Sequence, residues 1–286
     1  MDRMKWGRWL FVTVFGFIAL MEQSSLQAQE RRIAIVIGID AYEGGMRLLK
    51  AVNDAKLIGG ALESAGFEVT SLFDTRRDSV ISEVEAVTKK LSRDDIFFFY
   101  FAGHGVEIGG VNYLVPVDVK SDNLQDFEAS SIRLQDMFDK AKQSAAQIWV
   151  FDACRDNPYK PFRTRGLTPS LYRQQKTPEL KNWLTSEAIL TLASVDQNRL
   201  IRTSNGSNDI SGSIVIFSSD KNSCPSEISG GAVTVFANSL AKQIRLGGDV
   251  EAATRAVRRE VSEHFRGQQR TQIYSSLVGE VMFKRP

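Results

Sequence analysis

The run IAIVIGI at residues 33–39 is continuous, apolar and largely β-branched. A strand with one wet face alternates apolar and polar side chains, whereas an unbroken run of this kind is expected where both faces are covered, as in a parallel sheet sheathed by helices. The text that follows keeps to that plan. VNDAKLIGGALESAG (52–66) sets Ala55, Ile58, Leu62 and Ala65 on one helical stripe and stops at Gly66, a residue suited to a helix C-terminus. FEVTSLF (67–73) reads as a strand, DSVISEVEAVTKKLS (78–92) as a helix with Val80, Val84, Val87 and Leu91 inward, and DIFFFYFAG (95–103) as a third strand. SIRLQDMFDKAKQSA (131–145) and QIWVFDAC (147–154) repeat the helix-to-strand step, with Trp149 and Phe151 as core. GSIVIFSSD (212–220) follows as a fifth strand, then two amphipathic helices, AVTVFANSLAKQIRL (232–246) and DVEAATRAVRREVSEHF (249–265), and SLVGEVMF (276–283) as a closing strand. Strands alternating with helices in this way predict an α/β domain with a parallel sheet covered on both faces.

Two stretches depart from the pattern. MDRMKWGRW is basic, LFVTVFGFIAL is apolar and MEQSSLQAQE is polar with small side chains, the layout of a secretory signal over residues 1–28. Its apolar part is well short of the roughly 20 residues a spanning helix needs. Cleavage after Ala28 is expected, with an exported, periplasmic or secreted product. Leu26 stands where a small side chain is preferred, so an uncleaved membrane anchor is the alternative. The second departure, from about 155 to 211, carries Pro158, Pro161, Pro169 and Pro178 among polar and basic residues and reads as a long insertion within a single domain spanning 31–286.

Composition removes several function classes. The 36 basic and 34 acidic side chains nearly balance and form no basic block, so a nucleic-acid surface has no support. The chain has no CxxC, no HExxH and no histidine pair at ligand spacing, so no metal site is assigned. The first strand leads into GIDAYEGG and not into a glycine-rich phosphate cradle, which counts against a nucleotide-binding module of similar layering. Two cysteines, Cys154 and Cys224, are too few for a disulfide framework. They either pair with each other or leave Cys154 as a free thiol.

The second option has chemistry behind it. One of only two histidines, His104, follows the third strand in YFAGHG, and Cys154 ends the fourth in VFDAC. Sites on open parallel sheets gather beyond the carboxyl ends of the strands, and neighbouring strands lie about 4.8 Å apart, so the two side chains can meet if these strands are adjacent. An imidazole beside a thiol favours the thiolate and can later protonate a leaving amine, which suffices for acyl transfer. Gly103 and Gly105 allow a tight turn and close substrate approach, and the amides of Gly105 and Cys154 are candidates for an oxyanion hole. The other histidine, His264, lies beside the apolar stripe Val250, Val257, Val261 and Phe265 and is read as a surface residue.

YFAGHG followed fifty residues later by DACRDNP resembles the caspase superfamily of cysteine endopeptidases, on its metacaspase and paracaspase side. IGIDAY, AVNDA, NYLVPVD and SSLVGEVMF extend the resemblance over about 31–283; it is weak between about 160 and 230. It implies a three-layer α/β/α sandwich around a mainly parallel six-stranded sheet, with His104 and Cys154 catalytic. It also implies cleavage after arginine or lysine, because the acids of those families match Asp54 and Asp152; Glu227 is a weaker pocket candidate. Two carboxylates in a partly dry pocket would favour a guanidinium through charge-assisted hydrogen bonds. Each acid also has a plainer reading: Asp54 at the positive end of its helix, and Asp152 bonded to local amides. The expected partner is a peptide or protein with a basic residue before the scissile bond, without nucleic acid, and with a membrane only if the N-terminal segment stays uncleaved. No cofactor is assigned; calcium is left open, since metacaspases often need it, paracaspases usually do not, and the chain has no EF-hand loop. Relatives are often processed near the insertion, whose Arg163, Arg165 and Arg173 suit self-cleavage. A catalytically silent interaction module is the competing expectation.

Overall fold

The computed structural model describes residues 30–43, 46–108, 111–120, 122–153, 211–219 and 231–285. The segment expected to be a signal, Cys154, almost all of the expected insertion, Cys224 and Glu227 lie outside the described residues.

The described elements run β1 (Arg32–Gly38), α1 (Ala51–Ser64), β2 (Glu68–Phe73), α2 (Arg77–Thr88), β3 (Ile96–Gly103), β4 (Gly105–Ile108), β5 (Val111–Leu114) and α3 (Leu124–Ser130). They continue with β6 (Ile132–Arg133), α4 (Leu134–Lys140), β7 (Ala146–Ala153), β8 (Gly212–Phe217), α5 (Val235–Leu246), α6 (Val250–His264) and β9 (Gln272–Ser275). The main sheet has six strands in the order β2-β1-β3-β7-β8-β9. All its pairings are parallel except β8 with β9.

Successive side chains of a strand point to opposite faces, and here both faces are dry. Ile33, Ile35, Ile37, Phe97, Phe99, Phe101, Trp149, Phe151, Val215 and Phe217 build one core with Val80 and Val84 of α2 and Met137 and Phe138 of α4. Ala34, Val36, Phe98, Tyr100, Ile148, Val150, Ile214 and Ile216 build the other, against α1, α5 and α6. The result is the three-layer α/β/α sandwich, and the lack of alternation in IAIVIGI and IFFFYF is its direct cause. Trp149 and Phe151 are buried in the first core.

Two expectations are corrected. The stretch 131–145 is not one helix: Ile132–Arg133 pairs with β5, and the helix starts only at Leu134. That pairing belongs to a small antiparallel sheet, β4-β5-β6, that periodicity did not show, because its strands are four, four and two residues long. The closing strand is Gln272–Ser275, ahead of the expected 276–283, where single bridges at Val278 and Met282 are what remains of strand character. Val281 and Phe283 are apolar there because they are buried under the α5–α6 layer.

The loop between β1 and α1 is shaped by two aspartates. Asp40 accepts the amides of Ala51 and Val52 at 2.9 and 3.2 Å and caps α1 from a distance. Asp74, itself at φ 47°, accepts the amides of Asp40 and Ala41 at 2.7 and 2.8 Å. This satisfies amides that would otherwise be orphaned at a helix start and just past the end of β1. Gly38 completes the junction, since a Cβ there would lie 2.6 Å from the carbonyl oxygen of Ala51.

Candidate active site

β3 and β7 are neighbours in parallel register, with Gly103 opposite Ala153. His104 and Cys154 are the residues that follow the two strands in sequence. The condition that strands three and four of the sequence reading be adjacent is therefore met. His104 is 7% exposed.

The loop before α1 anchors the histidine. Its Nε2 lies 2.6 Å from the carbonyl oxygen of Met46. A carbonyl only accepts, so Nε2 carries the hydrogen and Nδ1 is the basic nitrogen of the neutral ring. Tyr42 holds the same residue twice: its ring sits 4.5 Å from the imidazole, centroid to centroid, and its hydroxyl accepts the His104 amide at 3.0 Å. That hydroxyl in turn donates to the Val115 carbonyl at 2.9 Å, and the Val115 amide donates to the His104 carbonyl at 3.1 Å. Gly103 makes the arrangement possible: a Cβ there would lie 2.6 Å from the Tyr42 hydroxyl oxygen. Gly105 opens β4 opposite Leu114.

Asp54 and Asp152 come together although they stand 98 positions apart in different elements, α1 and β7. Both are buried, at 1% and 5% exposure. Thr234, just ahead of α5, joins them: its amide donates to Asp54 Oδ1 at 2.7 Å and its hydroxyl to Asp152 Oδ2 at 2.9 Å. Tyr100 of β3 donates its hydroxyl to the same Asp152 oxygen at 3.3 Å. Burial, then the nearby Asp152 carboxylate, push the Asp54 carboxyl up to about 8. Asp54 does sit in the first turn of α1, but its carboxyl accepts an amide from the start of another helix, and Asp152 takes hydroxyl donors from across the sheet.

Sequence reasoning missed Tyr42, the Met46 carbonyl, Tyr100 and Thr234. A Thr directly before the apolar run VFANSL is a legible helix cap, and Thr234 does accept the Ala237 amide at 3.0 Å. Nothing local marks its second role toward the acids. His264 is exposed at the end of α6, as expected.

Among the described residues a cavity of about 370 Å³ lies between α6 and β9, lined by Arg258, Ser262, Arg270, Thr271, Gln272, Ile273 and Tyr274. It is lined by none of the acids, by neither His104 nor its anchors, and is a different feature from the site at the strand ends.

Comparison with known proteins bears on the family and the fold. Residues 31–282 match the caspase-domain model of the peptidase C14 family. The mouse homologue of mucosa-associated lymphoid tissue lymphoma translocation protein 1 is 25% identical over 138 residues, covering 47% of this chain and 16% of that protein. A probable protease from a Desulfuromonadales bacterium is 27% identical over 159 residues, covering 46% of this chain and 19% of that protein. The chain thus spans less than a fifth of the length of these relatives. Among solved structures, caspase-1 from Spodoptera frugiperda superposes with a TM-score of 0.58 at 14% identity, covering 90% of this chain and 93% of that one. A Geobacter sulfurreducens protein superposes with a TM-score of 0.52 at 15% identity, covering 90% and 94%. With the family model spanning nearly the whole described domain and the sheet and helix layers those of the caspase fold, the chain belongs to the caspase-domain family of peptidases.

Proposed function

We propose that this chain is a cysteine endopeptidase that hydrolyses peptide bonds after arginine or lysine, with Cys154 as nucleophile and His104 as general base and acid. The observation that carries the reading is the parallel register of Gly103 with Ala153, one residue before each proposed catalytic group. The Met46 anchor supports it by leaving Nδ1 as the nitrogen that takes the thiol proton.

The chemistry runs in two halves. The Cys154 thiolate adds to the carbonyl carbon, and the oxyanion formed is met by main-chain amides, for which Gly105 and Cys154 are the candidates. The tetrahedral adduct collapses with cleavage of the C–N bond, and His104 delivers its proton to the departing amine. Water, deprotonated by the same imidazole, then attacks the thioester and releases the new carboxylate, restoring the thiol. Asp54 and Asp152, with Glu227 as an additional candidate, provide the acidic pocket for the basic side chain before the scissile bond. No cofactor takes part in these steps, and the N-terminal segment directs export.

The test compares the full chain with its Cys154→Ala variant on fluorogenic peptides ending in Arg, Lys or Asp, with and without calcium and reductant. Turnover of Arg or Lys peptides that disappears in the variant is expected. Turnover of Asp peptides would keep the nucleophile and overturn the pocket, and silence on all three would favour a non-catalytic module. N-terminal sequencing of the exported protein checks cleavage after Ala28.

A further inference from the structure

Thr234 makes more contacts with the pocket acids than a helix cap requires. Its side-chain oxygen accepts the Ala237 amide at 3.0 Å through a lone pair, which leaves its single proton for Asp152 at 2.9 Å. Its own amide goes to Asp54 at 2.7 Å. The Tyr100 hydroxyl, fully buried, adds a second proton to the same oxygen of Asp152. The phenol is held well above its usual range by burial and then by Asp152, so it stays a donor.

Two carboxylates buried this deeply and joined through one residue do not both ionise near neutral pH. Asp152 Oδ2 receives hydroxyls from two residues, Thr234 and Tyr100, whereas the bonds to Asp54 come from Thr234 alone, its amide first and its hydroxyl second. The oxygen served by two separate residues is the better seat for charge, because each donor stabilises the anion more than the neutral acid. We propose that Thr234 is the positioning residue that sorts the two acids, seating the pocket's negative charge on Asp152 and leaving Asp54 as its neutral, proton-bearing neighbour. The carboxyl of Asp54, pushed up to about 8 by burial and then Asp152, agrees with this assignment. The charged and titratable groups around it are Asp152 on β7, Tyr100 on β3 and Lys50 ahead of α1; the attraction of Lys50 acts on Asp54 less than burial, Asp152 or the bonds from Thr234. A guanidinium entering the pocket then meets one full carboxylate and one acid that can surrender its proton. The inference rests on the pocket reading above, and it makes the two acids unequal.

The full chain is assayed at pH 7 on Arg peptides with Asp54→Asn, Asp152→Asn, Thr234→Val, Thr234→Ser and Tyr100→Phe. Asn imitates the protonated acid, so Asp54→Asn is expected to lower kcat/KM about tenfold or less, and Asp152→Asn at least about tenfold more than that. Thr234→Val should raise KM about tenfold with a smaller change in kcat, and Thr234→Ser should restore it. Tyr100→Phe removes a donor from the same oxygen without touching the helix cap, so it should shift KM in the same direction even if Thr234→Val does not fold. Equal losses for the two Asn variants, or unchanged KM in both Thr234→Val and Tyr100→Phe, would overturn the proposal. Absence of Arg turnover in the unsubstituted chain would be a failure of the protease reading instead. The sorting is still read then by carboxyl carbon NMR of that chain: Asp54 is expected to titrate above neutral pH and Asp152 below it, and the reverse order sinks the inference.

Discussion

The imidazole of His104 is pinned through Nε2, 2.6 Å from the main-chain oxygen of Met46. The anchor is a carbonyl, so it selects one tautomer without adding a charge, unlike a carboxylate partner. Nitrogen NMR of the neutral ring should show the hydrogen on Nε2; a hydrogen on Nδ1 would contradict the anchor. His104→Ala should lower kcat by about 100-fold or more, the usual worth of a positioned acid and base.

Gly103→Ala tests the other side of the histidine. The added Cβ would lie 2.6 Å from the Tyr42 hydroxyl and 2.9 Å from the Phe101 ring, with φ at 158°. The Phe101 ring is buried in the core and the Tyr42 hydroxyl already bridges His104 and Val115, so neither gives way cheaply. Denaturant unfolding should show a loss of about 1–3 kcal/mol. Activity should fall further than stability explains, because the displaced hydroxyl holds the His104 amide. A variant with full activity would mean that Tyr42 does not position the histidine.

Asp54 sets a pH dependence of unusual sign. Its carboxyl in the folded chain is raised to about 8 by burial and then by Asp152, against 3.8 for the ordinary group. Between those values the folded state binds more protons than the unfolded one, so this residue's contribution to stability falls as pH rises. Chemical denaturation from pH 5 to 9 should show that decline, and Asp54→Asn should flatten it. A slope unchanged in the variant would assign the effect elsewhere.

Asp95 works in the opposite direction. Buried at 1% exposure between β1 and β3, it accepts Arg31 Nη2 at 2.7 Å, Arg31 Nε at 3.1 Å and the Ser92 amide at 2.6 Å. Burial raises its carboxyl, but the bonds from Arg31 and Ser92 outweigh it and leave the group below the ordinary range. Its contribution is present above the unfolded value and lost as pH falls through the lowered one. Asp95→Asn should cost about 1–3 kcal/mol at pH 7, with the difference from the unsubstituted chain shrinking toward acid pH. A constant difference from pH 7 to pH 2 would argue against an ionic role.

The layered fold was legible because burial on both faces leaves a mark that needs no neighbour to interpret. IAIVIGI and IFFFYF are apolar at every step, and the stripes of α1 and α6 follow the helical period. The short strands β4, β5 and β6 left no such mark, since two to four residues cannot establish a period. The last strand was misplaced for a related reason: Val281 and Phe283 are apolar through packing under helices, while the true strand, QIYS, is half-buried at the edge of the sheet.

At the candidate site, His104 was legible because glycines flank a rare residue at a strand end, and Asp152 only through the family resemblance, which matches an acid two before the cysteine. The adjacency of β3 and β7 was a condition the sequence stated and could not meet alone, since strand order depends on how crossovers pack and not on the strands themselves. Local composition determined the layers, the element types and the chemistry available at two strand ends. Tertiary structure alone brought the Met46 carbonyl to His104 and Thr234 to both acids. Contacts of that kind join residues 58, 82 and 180 positions apart, and two of the three use a main-chain group at one end, so no local pattern announces them.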